Sequence, residues 1–249
     1  MNLLPFYFSS KKLAFDTNAA AIEKYRNIHQ GNRCFIIGTG PSLALSDIEL
    51  IRNEITVGMN SIVKLFDKTS WRPTYYFIQD IFAYDALAPL EKWFKGSETK
   101  LFLGQLCNTR QEDQKYQRFI HRPYHDSWQR LFNGPPFSEQ CERYVYDGRT
   151  IAYTAMQFAA FMGIEEIYLL GVDCNYQKRK DNHMSGLSLS HDNAAFIADS
   201  HDVQLNAMLL TYAKAEAWSR EHGFRIFNAS RGGNLDIFER VKLEDILKD

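Results

Sequence analysis

The feature that most constrains the fold is a short apolar run that ends in a glycine-rich turn. Residues Arg33–Ile37 are followed directly by Gly38-Thr-Gly-Pro-Ser42. An apolar run of this length that stops at glycine is typical of a buried strand. A helix is predicted next, over Leu43–Arg52. Glycines let the backbone of such a turn approach a ligand closely, and free amide groups at the helix start attract phosphate or a sugar hydroxyl.

Short apolar runs alternate with helical segments along the rest of the chain. Further strands are predicted at Ile55–Met59, Thr74–Gln79, Lys100–Leu103, Arg143–Tyr146, Glu166–Val172 and, last, Phe224–Phe227. Further helices are predicted at Asn18–Gln30 (Asn18 as its N-cap), Thr150–Met162 and 205–221. This alternation requires right-handed crossovers and a parallel sheet covered on both faces. The predicted fold class is therefore α/β, a Rossmann-like and mostly parallel sheet.

The 249 residues are predicted to form a single α/β domain, 1–249, because no repeat, low-complexity tract or linker divides them. Two segments interrupt the alternation. Residues 81–137 contain four prolines and are expected to form a small helical insertion or lid. Residues 177–204 are polar, and we expect a lid loop there that closes over a substrate.

Charge and cysteine usage exclude several classes of protein. Lys and Arg total 29 against 30 for Asp and Glu, without the basic excess of a nucleic-acid-binding protein. The four cysteines are widely spaced, which predicts reduced thiols rather than a zinc site or a disulfide framework. The N-terminus is not that of a signal peptide, and no window has the apolar length of a membrane span. We expect a cytoplasmic protein, and Lys11 and Lys12 leave open a peripheral contact with the inner face of a membrane.

Polar residues follow the predicted strands at the point where each strand ends. Asn60 follows the second strand, Gln79 and Asp80 follow the third, and Asp173 and Asn175 follow the strand at Glu166–Val172. Ligands of open α/β sheets bind outside the carboxyl ends of the strands. We therefore expect these side chains and the glycine turn to meet around a ligand. A helix cap or loop hydrogen bond is the alternative interpretation of Asp173.

The motifs favour a mononucleotide over a dinucleotide. Leu43 stands where the dinucleotide fingerprint needs a small residue, and Asn60 stands near where it needs an acid for the ribose. The Walker pattern is absent, and no DxD triplet that would hold a metal–diphosphate donor occurs in the chain. The histidines between positions 176 and 201 match no metal-binding spacing, so no metal site is predicted. One of these histidines is a better candidate for a general base than for a metal ligand, since imidazole titrates near neutral pH.

Several segments resemble known families. Phe35–Leu43 with Gly58-Met-Asn60, and Thr150–Met162 with Glu166–Asp173, are similar to the opening and the central block of the bacterial lipooligosaccharide sialyltransferases. A closer resemblance is to a family of bacterial polysaccharide-biosynthesis proteins that is related to the archaeal hydroxymethylpterin diphosphokinases. It is carried by Arg33–Leu43, Pro73–Tyr76 with Asp80, Gly171–Tyr176 and Asn228–Leu235. Together these patches span residues 30 to 245.

The resemblance implies a GT-A-like variant of the Rossmann-like fold and a metal-independent, inverting glycosyltransferase. In the sialyltransferases, Asn and Thr residues hold a cytidine-monophosphate sugar, and Asn60 and Thr150 match two of them. Thr39 stands where that family has Asn, which leaves the identity of the nucleotide open. The predicted substrate-binding residues are Gly38, Thr39, Gly40, Pro41, Ser42, Asn60, Gln79, Asp80, Thr150, Asp173 and Asn175.

The resemblance also implies catalytic residues. Tyr176 is the nearest equivalent of the tyrosines that steady the leaving phosphate, displaced by one position. His201 lies at the most similar distance from Asp173 for the family's histidine base, with His191 in reserve. Hydroxyl and amide donors can stabilise a departing phosphate when no cation is present. No cofactor is expected beyond the nucleotide sugar as co-substrate.

The expected role is sugar transfer to a glycan or lipid-linked glycan acceptor, in the biosynthesis of cell-surface polysaccharide or lipopolysaccharide. Two alternatives remain open: a pterin-type diphosphokinase that uses ATP and magnesium, and a non-catalytic module that binds a nucleotide or a glycan. No nucleic-acid partner is expected, and the formation of a homo-oligomer is left open.

Overall fold

An eight-stranded parallel sheet forms the centre of the computed structural model, which describes residues 16–107, 110–122, 135–175, 182–189 and 201–248 (201–204 by backbone only). Its strand order is β10-β9-β8-β1-β2-β3-β4-β5, and β6 and β7 form a separate parallel pair. The strands are β1 Arg33–Ile37, β2 Ile55–Met59, β3 Tyr75–Ile78, β4 Lys100–Gly104, β5 Gln117–Phe119, β6 His121–Arg122, β7 Val145–Tyr146, β8 Glu166–Leu170, β9 Arg225–Asn228 and β10 Glu239–Arg240.

Helices connect the strands and cover the sheet. The α-helices are α1 (16–23), α2 Leu45–Leu50, α3 Ile81–Leu87, α4 Glu91–Phe94, α5 Ile151–Phe161, α6 His201–Glu221 and α7 Leu243–Ile246. Two 3-10 helices, η1 Asn60–Leu65 and η2 Gln111–Lys115, follow β2 and precede β5. None of the described helices is both long and apolar enough to cross a bilayer.

The side chains of β1 alternate between two hydrophobic clusters, one on each face of the sheet. Cys34 and Ile36 belong to the cluster that contains α5, whereas Phe35 and Ile37 pack with residues of α2, η1 and α3. Aromatic side chains fill much of the α5 side, where the ring centroids of Phe102 and Phe158 lie 4.8 Å apart. A strand buried on both faces reads as a continuous apolar run, which is why β1 and β8 are conspicuous in the sequence.

The Rossmann-like α/β class is confirmed, with differences at the edges. The first helix covers 16–23 instead of Asn18–Gln30, and turns fill the interval. Asn18 does not cap it; the Asn18 side chain donates to the carbonyl of Arg118 at 2.8 Å and accepts from its amide at 2.9 Å. This pairing attaches α1 to β5. The strand predicted at Arg143–Tyr146 is β7 of the small sheet, and β10 follows the strand that was predicted to be last.

The segment 81–137 extends the main sheet. It holds α3 and α4, as a helical insertion would, but also β4 and β5, which pair in parallel beyond β3. Its prolines include Pro89, which lies between the two helices, and Pro135 and Pro136 near its end.

The chain order reverses at β1, which pairs with β8 on one side and with β2 on the other. Connections therefore leave β1 and β8 toward opposite sides of the sheet. A crevice at the carboxyl ends of the strands is the expected consequence of such a switch point.

Candidate functional site

A cavity of about 260 Å³ opens at the carboxyl ends of β1, β2, β3 and β8. Ten of the eleven predicted substrate-binding residues line it: Gly38, Thr39, Gly40, Pro41, Asn60, Gln79, Asp80, Thr150, Asp173 and Asn175. The eleventh, Ser42, binds Asp173. The structure thus brings together residues from five separate segments of the sequence.

The glycine turn after β1 is packed directly against the end of β8. The amides of Gly38 and Gly40 donate to the carbonyls of Leu170 and Gly171, each at 2.8 Å. A Cβ at Gly38 would lie 2.4 Å from the Gly171 oxygen, and a Cβ at Gly40 would lie 2.6 Å from the carboxyl carbon of Asp173. Any side chain at either position would therefore clash, and both glycines are required by this close approach.

Asp173 organises the turn rather than standing free in the cavity. Its carboxylate accepts a hydrogen bond from the Ser42 amide at 2.8 Å and a shorter one from the Ser42 hydroxyl. The carbonyl of Asp173 accepts from the Asn234 amide at 2.6 Å, and Gly233, at φ +85°, lies close against it. The alternative interpretation of Asp173 as a loop hydrogen-bond acceptor is therefore what the structure shows. Its side chain shapes the cavity wall.

Asn60 begins η1 at the end of β2 with φ +45°, a left-handed conformation that Asn tolerates better than most residues. Its backbone carbonyl accepts from the Tyr76 hydroxyl at 2.7 Å. Its side-chain Oδ1 is buried and has no hydrogen-bond partner among the described residues. A buried acceptor without a donor costs about 1–3 kcal/mol. Because Asn60 lines the cavity, this oxygen is placed to accept from a ligand.

Gln79 and Asp80 leave β3 at the same end of the sheet. Asp80 is the N-cap of α3, and its carboxylate accepts from the amides of Phe82 at 2.7 Å and Ala83 at 3.3 Å. The Gln79 Oε1 accepts from the Thr154 hydroxyl at 2.9 Å. Both side chains therefore have structural partners as well as a place in the cavity wall.

Thr150 caps α5, the helix that carries the central core. Its hydroxyl accepts from the Ala152 amide at 3.3 Å and lies 3.2 Å from the Tyr212 hydroxyl. Arg149, just before it, has φ +59° and also lines the cavity. The N-terminus of α5 and a cationic residue therefore border the cavity together, a combination that suits an anion.

Several residues at the cavity were not predicted as site residues. They include Arg149, Asn182, His183, Met208 and Tyr212. His183 lies 2.8 Å from the Thr39 hydroxyl through its Nδ1, and the Met184 amide donates to the Thr39 carbonyl at 2.7 Å. The described part of the predicted lid, residues 182–189, thus rests on the glycine turn. A polar stretch of this kind has no hydrophobic periodicity, so the sequence does not predict where it runs in the fold.

None of the three predicted catalytic side chains is among those that the structure describes. Tyr176 and His191 lie outside the described residues, and of His201 the structure describes only the backbone, at the first position of α6. Their roles stay predictions.

Metal-ligating side chains do not gather at the site in the part of the chain that the structure describes, where no group of three or more His, Cys, Asp or Glu is placed to hold an ion. The four cysteines are buried free thiols. Burial raises the pKa of Cys107 and of Cys174 to about 12, so both are neutral thiols near pH 7.

The fold and the crevice define a Rossmann-like α/β protein with a ligand cavity at its topological switch point. The chain belongs to the MptE-like family, since the family model "6-hydroxymethylpterin diphosphokinase MptE-like" matches residues 11–179, more than half of its length. No curated protein matches the chain significantly.

Two solved structures share the fold at low identity. The MAf glycosyltransferase from Magnetospirillum magneticum AMB-1 is 17% identical with a TM-score of 0.53, over 92% of this chain and 38% of that one. The chain therefore spans well under half of that enzyme. The sialyltransferase CstII from Campylobacter jejuni, solved with the substrate analogue CMP-3FNeuAc, is 14% identical with a TM-score of 0.51, over 84% of this chain and 86% of that one.

Proposed function

We propose that the protein is a glycosyltransferase that moves a sugar from a nucleotide-activated donor, with a CMP-sugar favoured, to a glycan acceptor. The observation that carries the proposal is the meeting of Gly40, Asn60, Thr150 and Asp173 around one cavity. These residues come from four parts of the sequence, and each resembles a feature of nucleotide-sugar transferases. Both structural neighbours are described as glycosyltransferases, and one holds a CMP-sugar analogue.

The polar groups of the cavity suit a nucleoside monophosphate. The unpartnered Oδ1 of Asn60 accepts hydrogen bonds only, so it fits the amino group of cytosine or a ribose hydroxyl. Arg149 and the start of α5, which line the same cavity, favour the phosphate.

The proposed reaction is a single displacement with inversion. The acceptor hydroxyl oxygen forms a bond to the anomeric carbon while the bond from that carbon to the phosphate oxygen breaks. The hydroxyl proton passes to a histidine, His201 with His191 as the reserve, and the nucleoside monophosphate leaves with the bonding pair. The Tyr176 hydroxyl and the cavity donors steady the charge on the phosphate, so the reaction needs no metal.

The proposed setting is the assembly of cell-surface polysaccharide or lipopolysaccharide at the cytoplasmic side of the membrane. There the acceptor is a glycan or a lipid-linked glycan, and the nucleotide sugar is the only small co-substrate. The apolar N-terminal residues with Lys11 and Lys12 would supply the contact with the membrane surface.

A nucleotide panel tests the proposal. Thermal unfolding is followed with CMP, CDP, UDP, GDP and ADP, each with EDTA and with magnesium. CMP is expected to raise the midpoint in EDTA, because a ligand that binds only the folded state stabilises it by mass action. Release of CMP from CMP-N-acetylneuraminic acid then separates an enzyme from a binding module. Failure of every nucleotide to stabilise the fold overturns the proposal.

A second candidate, a pterin-type diphosphokinase, is favoured by the description of the family model. That reaction transfers a diphosphate from ATP to a pterin alcohol and requires magnesium with carboxylate ligands. Among the described residues, Asp80 and Asp173 are the carboxylates of the cavity, and both already accept hydrogen bonds from the protein. Release of AMP from ATP with 6-hydroxymethylpterin, lost in EDTA, would support this function over sugar transfer.

A further inference from the structure

A second cavity, of about 240 Å³, adjoins the first along β3. It is lined by Gln79, Gln105, Leu106, His121 and Asp147. Gln79 lines both cavities, and the turn that places Asp147 in the second places Arg149 and Thr150 in the first. The two cavities therefore lie side by side. Gln79, which follows β3, borders both, and so does the turn before α5.

His121 lies beside Gln79. Its Nε2 lies 3.0 Å from the Gln79 Oε1 and 3.3 Å from the Thr154 hydroxyl. Burial lowers the pKa of His121, and the Asp147 carboxylate opposes this only in part, so the ring is neutral near pH 7. A neutral imidazole held this way presents polar ring atoms without adding charge to the cavity.

The chemistry of the second cavity selects the kind of molecule that fits it. Two amides, an imidazole and a carboxylate are groups that bind sugar hydroxyls, and Leu106, 69% exposed, offers an apolar surface for the C–H face of a sugar ring. No Lys or Arg is among the described residues that line it, whereas Asp147 supplies a negative charge. An uncharged sugar is therefore favoured over an acidic one.

We infer that the second cavity is the acceptor subsite and that it takes an uncharged, hydroxyl-bearing sugar held by Asp147, His121 and Gln105. This inference rests on the proposed function, because it assigns the acceptor's place relative to the donor. A hydroxyl of the acceptor would pass Gln79 to reach the anomeric carbon in the first cavity. His121 is a binding and positioning residue in this arrangement.

Saturation-transfer NMR tests the inference. The probes are the methyl glycosides of glucose, galactose, mannose and N-acetylglucosamine, and separately those of glucuronic and galacturonic acid, each with and without CMP. At least one neutral glycoside is expected to bind, more strongly than either acidic one. Its affinity is expected to fall at least about tenfold in Asp147→Asn, because a hydrogen bond to a charged group is lost, and in Leu106→Ser, because the apolar contact with the sugar ring is lost.

The two variants are chosen so that the fold is kept. Asp147→Asn retains the oxygen that accepts from the Arg149 amide at 2.9 Å, and Leu106 is exposed. The matched controls are Asp236→Asn, which changes an exposed carboxylate paired with Arg240, and Phe82→Ser, which removes an apolar side chain that is 65% exposed. Both controls lie outside the cavity and are expected to bind the glycoside like the wild type.

Three outcomes overturn the inference: no neutral glycoside binds, the acidic glycosides bind as well or better, or binding persists in both cavity variants. Thermal shift by CMP on the same samples keeps the two proposals apart. If CMP binds but the glycosides do not, the assignment of the acceptor subsite is wrong and the proposed nucleotide site is unaffected. If the glycosides bind in the expected pattern and no nucleotide binds, the donor assignment fails and a sugar site remains.

Discussion

The carboxylate of Asp173 binds both the amide and the hydroxyl of Ser42, across 131 residues of sequence. This contact joins the end of β8 to the glycine turn after β1, at the point where the two neighbouring strands deliver their loops to opposite sides of the sheet. The Ser42 amide and hydroxyl are donors that an incoming phosphate would otherwise attract. Because Asp173 accepts from both, the proposed binding of a phosphate has to use other donors of the cavity.

Ser42→Ala removes one of the two donors that Asp173 receives. Because Asp173 is only 8% exposed, we expect the free energy of unfolding to fall by about 1–3 kcal/mol, as for a lost hydrogen bond to a charged group. Urea denaturation measures the change. Ser46→Ala, on the exposed side of α2, is the matched control and is expected to stay within about 0.5 kcal/mol of the wild type. Equal free energies of unfolding of the two variants would show that the Ser42 hydroxyl contributes nothing to the stability of the fold.

Gly40→Ala introduces a Cβ that would lie 2.6 Å from the Asp173 carboxyl carbon and 2.6 Å from the Gly171 oxygen. We expect a loss of about 1–3 kcal/mol from this overpacking, and a loss of CMP binding because the turn must move. Calorimetry with CMP measures the second effect. Gly232→Ala is the control, since its Cβ would stand 3.4 Å from the Ser42 Cβ, an ordinary contact. Wild-type affinity in Gly40→Ala would contradict the close packing of the turn.

Asn60→Gly tests the unpartnered oxygen without straining the backbone, because glycine adopts the φ of +45° at no cost. The variant loses a buried acceptor that has no hydrogen-bond partner among the described residues, so its removal is not expected to destabilise the fold. CMP affinity is expected to fall about tenfold. The opposite pattern, a large loss of stability with unchanged affinity, would remove Asn60 from the binding site.

Acidification is expected to destabilise the fold through His29 as well as His121. Burial lowers the pKa of His29, whose Nε2 lies 2.7 Å from the Tyr75 hydroxyl. The unfolded chain therefore binds more protons than the fold once the pH drops below the ordinary histidine pKa of about 6.5, and stability falls with pH in that window. Urea unfolding at about pH 7.5 and about pH 5.5 measures the loss. His29→Gln should show a smaller loss; an identical loss would assign the pH dependence to other groups.

His201→Ala is expected to abolish sugar transfer while CMP still binds. Removal of a general base lowers the rate by about 10²- to 10⁴-fold without touching the nucleotide. Release of CMP from CMP-N-acetylneuraminic acid measures the rate. His183→Ala is the informative comparison, because His183 contacts Thr39 at the first cavity. If His183→Ala stops turnover and His201→Ala does not, the base has been assigned to the wrong histidine.

The central part of the fold was predictable because its strands are buried on both faces. Arg33–Ile37 and Glu166–Leu170 are continuous apolar runs that end at glycine, and both are strands as expected. Ligands of open α/β sheets bind at the carboxyl ends of the strands, and on that ground the sequence predicted that Asn60 and Asp173 lie at one cavity. The sequence did not predict the hydrogen-bond partners of these two residues.

The short outer strands and some residues of the site could not be predicted from the sequence, and the reasons are again physical. Strand β6 has two residues, and both residues of β10 are exposed, so neither shows a hydrophobic period. His121 belongs to no motif of the sequence; it lies in β6, which pairs with β7, and its ring contacts Gln79. Arg149 was not predicted as a site residue. Its positive φ is set by the turn before α5, and an arginine in the sequence does not indicate such a conformation.

The amide of Asn234 closes onto the Asp173 carbonyl, and Gly233 fits where no larger residue could. The crevice is therefore completed by the segment between β9 and β10, which follows β1 and β8 in the sequence. A polypeptide that ends after β4 contains neither β8 nor this closure, so a ligand that needs the complete crevice has no binding energy with which to stabilise it.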